Sequence, residues 1–287
     1  MTASHARCVV ECGNVLGEGA IWCAREELLW WIDIATPTLW RFAPRSGEVA
    51  HWPLPKPPGS FALREGGGFL FAFRSGFATL EEPGAEPKWL EPAGLELGEE
   101  RFNDGKTDRA GRFWAGTLDR KLSRPIGKLY RLERGFRVAS MDQGFTISNG
   151  IGWSPDDRTL YFTDTPSRRI YCYDFDRASG EIAKRRVFVE AEPGPGGPDG
   201  LTVDAEGGVW SAQFDRGCVH RYAPDGKLER SVRLPVQRPT SCMFGGAELA
   251  TLYVTSASME LASQPQAGGL FALEPGVRGL PEPRFAG

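Results

Sequence analysis

Histidine is scarce in this chain: His5, His51 and His220 are the whole supply in 287 residues. None has a neighbour at metal-ligand spacing, which excludes a histidine-built zinc site and an H-E-x-x-H helix. There is no G-x-S-x-G elbow, so the nucleophile of an α/β-hydrolase is missing. Neither a Walker A loop nor a dinucleotide-binding G-x-G-x-x-G occurs, and Gly66-Gly67-Gly68 reads as a hairpin turn. No apolar run reaches the roughly 18 residues that a membrane helix needs. Met1 to Val10 lacks the charged start and apolar stretch of a secretory signal. Cys8, Cys12, Cys23, Cys172, Cys218 and Cys242 show neither a dense disulfide framework nor paired C-x-x-C spacing, and read as reduced, mostly buried thiols. A cytoplasmic protein is expected, with no membrane partner.

Excess charge is lacking too. A net charge of -3 and a pI of about 5.8 give no electrostatic reason to bind nucleic acid, and Lys184-Arg185-Arg186 reads as a solvated strand edge. No convincing amphipathic helix is present. What is abundant is punctuation: 36 Gly and 22 Pro break the chain into short aliphatic and aromatic runs, which fits many tight turns. Nine Trp and 17 Phe supply ample core.

Those runs repeat. A polar-Gly step recurs at Gly17-Glu18-Gly19, Asn103-Asp104-Gly105, Ser148-Asn149-Gly150 and Pro198-Asp199-Gly200, each followed by an apolar run, a turn and an aromatic strand. The spacing, on the order of 45 residues, is the signature of β-propeller blades, each a four-stranded unit that cannot bury its own faces. Six such units nearly exhaust the chain, so an all-β six-bladed propeller is expected, as a single domain over residues 1–287. The segment Arg7 to Glu11 precedes blade one and is expected to complete the last blade, removing two open edges. The longer polar stretch Leu118 to Ile126 is expected to extend over one face, where binding loops lie. Glu190 to Pro198, rich in Pro and Gly, reads as the loop leading into Asp199.

Equivalent positions around one axis fall near Glu18, Gly59, Asp104, Asn149, Asp199 and Thr240. One Asx-Gly pair alone is an ordinary turn former. Several in one register would bring oxygen ligands together at a channel mouth, which suits a hard or borderline divalent cation.

At these residues the chain resembles the gluconolactonase / regucalcin (senescence marker protein 30) family. The resemblance rests on Leu16-Gly17-Glu18-Gly19, Arg101 to Lys106, Gly111 to Thr117, Ile147 to Gly150 and Pro198-Asp199-Gly200, with Asn149 to Asp157, Leu160 to Thr165 and Gly245 to Tyr253 extending it. It implies a six-bladed propeller that binds one divalent metal in its central channel and hydrolyses sugar lactones. Carried over residue by residue, it implies Glu18, Asn149 and Asp199 as metal ligands, Asp199 also as general base, and Arg101 and Asn103 as substrate contacts. One position departs from the pattern. Mammalian relatives place a glutamate after Ala-Gly-Thr, whereas this chain has Leu118, Asp119 and Arg120, making Asp119 the candidate substitute.

The expected reaction is metal-assisted addition of water to a lactone carbonyl, with Asp199 taking the proton. The expected partner is a small sugar lactone, and the default state a monomer. Ca²⁺, Mg²⁺, Mn²⁺, Zn²⁺ and Fe²⁺ all suit the ligand set. Two rivals stay open on the same fold: a metal-dependent esterase or organophosphate hydrolase, and a calcium-binding propeller that catalyses nothing.

Overall fold

The computed structural model describes residues 5–287. The first four residues of the expected domain, and of the stretch read as lacking a signal, lie outside the described residues. Strand β1 is Arg7–Val10. Blade one follows as β2 (Gly17–Cys23), β3 (Leu28–Asp33), β4 (Thr38–Ala43) and β5 (Glu48–Pro53), and blade two as β6 (Pro58–Leu63), β7 (Phe69–Phe73), β8 (Gly76–Leu80) and β9 (Lys88–Trp89). Blade three holds β10 (Glu100–Thr107), β11 (Phe113–Asp119), β12 (Gly127–Leu132) and β13 (Val138–Phe145). Blade four holds β14 (Ser148–Trp153), β15 (Thr159–Asp164), β16 (Arg169–Asp176) and β17 (Glu181–Glu190). Blade five is β18 (Gly197–Val203), β19 (Val209–Phe214), β20 (Cys218–Tyr222) and β21 (Leu228–Arg233). Blade six is β22 (Pro239–Gly245), β23 (Thr251–Ser256) and β24 (Leu270–Leu273), completed by β1.

Each sheet is a four-stranded antiparallel meander, and the innermost strands touch in the closed order β2, β6, β10, β14, β18, β22 and back to β2. The expected propeller is therefore present, with β1 paired to β24 as the clasp. Among the described residues there is no helix, and hence none long and apolar enough to cross a membrane. Burial grades outward. Strands β6, β14, β18 and β22 are buried at every position, while β17, with Lys184-Arg185-Arg186 exposed, forms a solvated edge.

The blades hold one another. Trp114 and Phe145 of blade three share a cluster with Ile151, Trp153 and Phe162 of blade four, and Trp114 is fully buried there. Burying one large side chain stabilises by about 2–3 kcal/mol, and no single blade can do it alone. Buried carboxylates fix two of the turns that join first and second strands. Asp204 accepts from the Gly208 amide (2.8 Å), Trp210 Nε1 (2.8 Å) and Arg221 Nε (2.7 Å), and Asp108 does the same for Arg112 and Trp114.

The last residues run across that same end of the ring. The Gly279 amide donates to Leu249 O (2.8 Å), Phe285 N to Leu63 O (2.8 Å) and Ala286 N to Gly111 O (3.0 Å), so the strap spans blades six, two and three. It places Glu282 beside Lys106, at 3.8 Å.

Candidate active site

Every innermost strand carries a register irregularity at the equivalent level, a polar-Gly step in four of the six: between Glu18 and Ile21, Pro58 and Ser60, Phe102 and Gly105, Asn149 and Ile151, Pro198 and Leu201, and Pro239 and Cys242. A β-bulge re-aims side chains and bends its strand. Here six bulges at one level turn the repeat into a ring of residues at the channel mouth. The backbones come close there, since a Cβ on Gly150 would lie 2.6 Å from Asp199 O.

Entry to two of these strands is held by an aspartate on the neighbouring strand. Asp33 accepts from the amides of Val15 (2.8 Å) and Leu16 (3.1 Å), ahead of Glu18, and Asp164 accepts from Thr146 (3.2 Å) and Ile147 (3.0 Å), ahead of Asn149. The Asn149 side chain is oriented at both ends. Its Nδ2 donates to Thr165 Oγ1 (2.8 Å), whose hydroxyl donates to Pro198 O (2.7 Å), while its Oδ1 accepts from Asn103 Nδ2 (2.8 Å). Asn103 Nδ2 also reaches Ser148 O (2.8 Å), and Arg101 donates to Asn103 Oδ1 (3.3 Å) and Phe102 O (3.1 Å). Arg101, Asn103 and Asn149 are thus one hydrogen-bonded chain across blades three and four.

The carboxylates face a different constraint. Glu18 and Asp199 are 8% and 4% exposed. Burial pushes the Glu18 carboxyl well above its usual range, with Asp199 and Asp104 adding repulsion, and burial with Asp104 does the same to Asp199. Asp104 keeps some accessible surface, but it opens into a small cavity shared with Gly19, Lys106, Ile151, Leu201 and Ser241. Burial still pushes it up to about 6, against the Gly105 amide and Lys106. Lys106 is the cation that acts on Asp104, and its Nζ also donates to Leu201 O (3.3 Å) and lies near Glu282.

Asp199 Oδ1 is buried and has no hydrogen-bond partner among the described residues. An orphaned carboxyl oxygen in low dielectric is costly once it is ionised, and a bound cation removes that cost. Glu18, whose side chain accepts only from the Gly19 amide (3.1 Å) among the described residues, and the second lone pair of Asn149 Oδ1 are the other oxygens with capacity to spare. The donor set fits a divalent cation that prefers oxygen. Among the described residues no three His, Cys, Asp or Glu side chains could hold a metal by themselves, so a cation here would need the Asn149 amide oxygen as well.

Asp119 is not brought into this set. Its carboxylate accepts from the amides of Lys121 (3.2 Å), Ser123 (3.3 Å) and Arg124 (3.1 Å) and pairs with the Arg124 guanidinium (3.1 Å), which holds its pKa well below the usual range. It closes the β11–β12 loop instead. Asp104, Lys106 and Thr165 are the residues that sequence reasoning gave no role. Asp104 stood at a ring position in the spacing, whereas Thr165 carried no signal beyond a shared motif.

With this geometry in hand, the comparisons with known proteins agree among themselves. A family model described as SMP-30/Gluconolactonase/LRE-like region matches residues 16–258. The chain is 43% identical to the 6-deoxy-6-sulfogluconolactonase of Pseudomonas putida, covering 98% of each, and 36% identical to the regucalcin of Gallus gallus over the full length of both. A solved regucalcin from Agrobacterium tumefaciens, described as a calcium-binding protein, superposes with a TM-score of 0.91 at 29% identity, covering 99% of this chain and 98% of that one. The match spans all six blades and the mouth residues together: this chain belongs to the SMP-30/gluconolactonase/LRE-like family.

Proposed function

We propose that this chain is a sugar lactonase that opens an aldonolactone to its aldonic acid, as one propeller domain holding a divalent cation on Glu18, Asn149 and Asp199. The observation that carries the reading is the unpartnered Asp199 Oδ1, buried among like charges and one strand away from the Arg101–Asn103–Asn149 chain. The lactonase named for the Pseudomonas putida relative supports the substrate class, and the calcium-binding description of the Agrobacterium tumefaciens protein supports the cation.

When bound, the cation supplies Lewis acidity to the lactone carbonyl. The residues do the rest. Asp199 takes a proton from water as the water oxygen bonds to the carbonyl carbon. It returns that proton to the ring oxygen as the ring C–O bond breaks, which balances the reaction as one water consumed per acid formed. Asn103 and Arg101 orient the sugar hydroxyls, since a polar substrate needs hydrogen-bonding walls where an aryl ester would need apolar ones. Asp119 is given no substrate contact, because its oxygens are already taken by its own loop.

The test is acid release from a panel of pentono- and hexono-lactones, using chelator-stripped protein and the same protein with each divalent metal restored. Metal-dependent release on one or more lactones is the expected result. Silence on every lactone with metal still bound would favour the calcium-binding scaffold, and turnover of aryl esters alone would favour the esterase.

A further inference from the structure

Blade three carries acidic and basic groups side by side at the mouth, and their pairing is uneven. Glu99 and Asp119 both pair with Arg124, at 2.7 and 3.1 Å, and Glu100 pairs with Lys128 at 2.9 Å. The Thr117 hydroxyl also donates to Glu100. The acidic side chains flanking Arg101 and Arg120 are thereby used up. Arg101 donates only to the Phe102 carbonyl and the Asn103 amide oxygen, and the Arg120 Nε donates to the Glu100 carbonyl (2.8 Å). Neither ion-pairs with a carboxylate among the described residues, and the same holds for Arg74.

Topology brings the three to one rim. Arg101 lies on β10 opposite Leu118 of β11, and Arg120 directly follows β11, its amide bonded to Glu99 O (3.1 Å). Arg74 directly follows β7 in the neighbouring blade, its amide bonded to Pro57 O (3.1 Å). Blade two meets blade three at this level, where a Cβ on Gly59 would lie 2.7 Å from Asn103 O. Burial first, and then the charges of Arg74 and Arg120, pull the Arg101 pKa down to about 10. Like charges gathered without a counter-ion destabilise one another. A ligand that brings the anion would relieve that repulsion.

We propose that Arg74, Arg101 and Arg120 form an anion subsite, and that the substrate is an aldonolactone carrying a fixed negative group at the end remote from its carbonyl. This rests on the lactonase reading, because Arg101 joins the subsite through Asn103 and Asn149 to the residues that face the carbonyl. Guanidinium forks bind sulfonate, phosphate and carboxylate through paired N–H donors, so oxyanion chemistry is what the three recognise together. A neutral hydroxymethyl at that position would leave the charges unmatched.

The test compares hexonolactones that differ only at the far carbon, bearing hydroxyl, sulfonate, phosphate or carboxylate, on wild type and on the Arg74→Gln/Arg120→Gln double variant. Both side chains are exposed, so the variant is expected to fold. Wild type should prefer at least one anionic lactone by about tenfold or more in kcat/KM, mostly through KM, and the preference should shrink with added salt. The double variant should lose about tenfold in that ratio, with the three anions separating the group preferred. Equal kcat/KM across the series, or a ratio the double variant does not move, would overturn the subsite. If no lactone turns over, the lactonase reading fails instead. Calorimetric titration with the sulfonated aldonic acid then decides the subsite alone: binding at least about tenfold weaker in the variant upholds it, and equal binding overturns it.

Discussion

At the scale of single residues, the mouth is defined by which oxygens are left without partners. Asn149 is held by Thr165, and Thr165 by Pro198 O, so one hydroxyl ties the ligand of blade four to the strand that carries Asp199. Thr165→Val removes that hydroxyl at nearly constant volume. It is expected to weaken divalent-metal affinity by about 10- to 100-fold, as loss of an orienting partner does, measured by competition with a metallochromic chelator. Asp104 gives a pH signature. Its folded pKa of about 6 lies above its ordinary 3.8, so the stability it contributes is full below about pH 4 and lost as pH rises through about 6. In chelator-treated protein, Asp104→Asn should therefore flatten the fall in unfolding free energy between pH 4 and 7, by about 2 kcal/mol. His220, whose burial pulls its pKa down to about 4, acts in the opposite sense in the same window, so the comparison of variant with wild type is the informative one. A parallel pair of curves would mean that Asp104 stays ionised when folded. The shared ring positions of Glu18, Asn149 and Asp199 were legible in the sequence because the repeat spacing put them in register. The pairing of Asp119 with Arg124 was not legible, because it is set by how a loop closes, which spacing does not encode.

At the scale of elements, the six bulges do the placing, and glycine makes room for them. A Cβ on Gly150 would meet Asp199 O at 2.6 Å and Leu201 Cγ at 2.8 Å, so Gly150→Ala must push blade five away from blade four. The expected cost is about 1–3 kcal/mol from overpacking, seen as a lower unfolding midpoint in denaturant, with weaker metal binding because Asp199 moves too. Gly66 is the control: nothing lies within 4 Å of its would-be Cβ, and its φ is not in the left-handed region, so Gly66→Ala should be neutral or slightly stabilising. Equal losses at both positions would show that the close approach at the mouth does not matter. Inner strands were easy to place from sequence because each runs from a short polar step into an apolar stretch and is buried throughout, as in β14 and β22. Outer ends were not. β17 runs to Glu190 through exposed charged residues, and β9 is only two residues long. Strands that bury little carry little pattern.

For the whole molecule, the question is what keeps a ring of six blades closed when each contacts only its neighbours. Two terminal segments answer it at opposite ends of the chain: β1 completes blade six beside β24, and the strap from Val277 to Gly287 crosses the end of the channel away from the mouth. Phe285 anchors the strap. It is fully buried in the cluster of Phe102, Phe113 and Leu132, with its ring 6.0 Å from that of Phe136. Phe285→Ala is expected to destabilise by about 3–5 kcal/mol, because the ring sits between blades two and three where the walls are strands that cannot collapse inward. Thermal unfolding should register that loss as a lower midpoint. The same strap delivers Glu282 to Lys106, whose charge also acts on Asp104 at the mouth, so the two ends of the channel share one charge. Glu282→Gln separates anchoring from charge, because it leaves Phe285 in place and removes only the competing carboxylate. With Lys106 freed to balance the mouth alone, divalent-metal affinity should fall by a few-fold while the unfolding midpoint moves far less than in Phe285→Ala. If Glu282→Gln instead matches Phe285→Ala in stability and leaves metal affinity untouched, the strap is a fastener only, and the charge it carries is local to its own end.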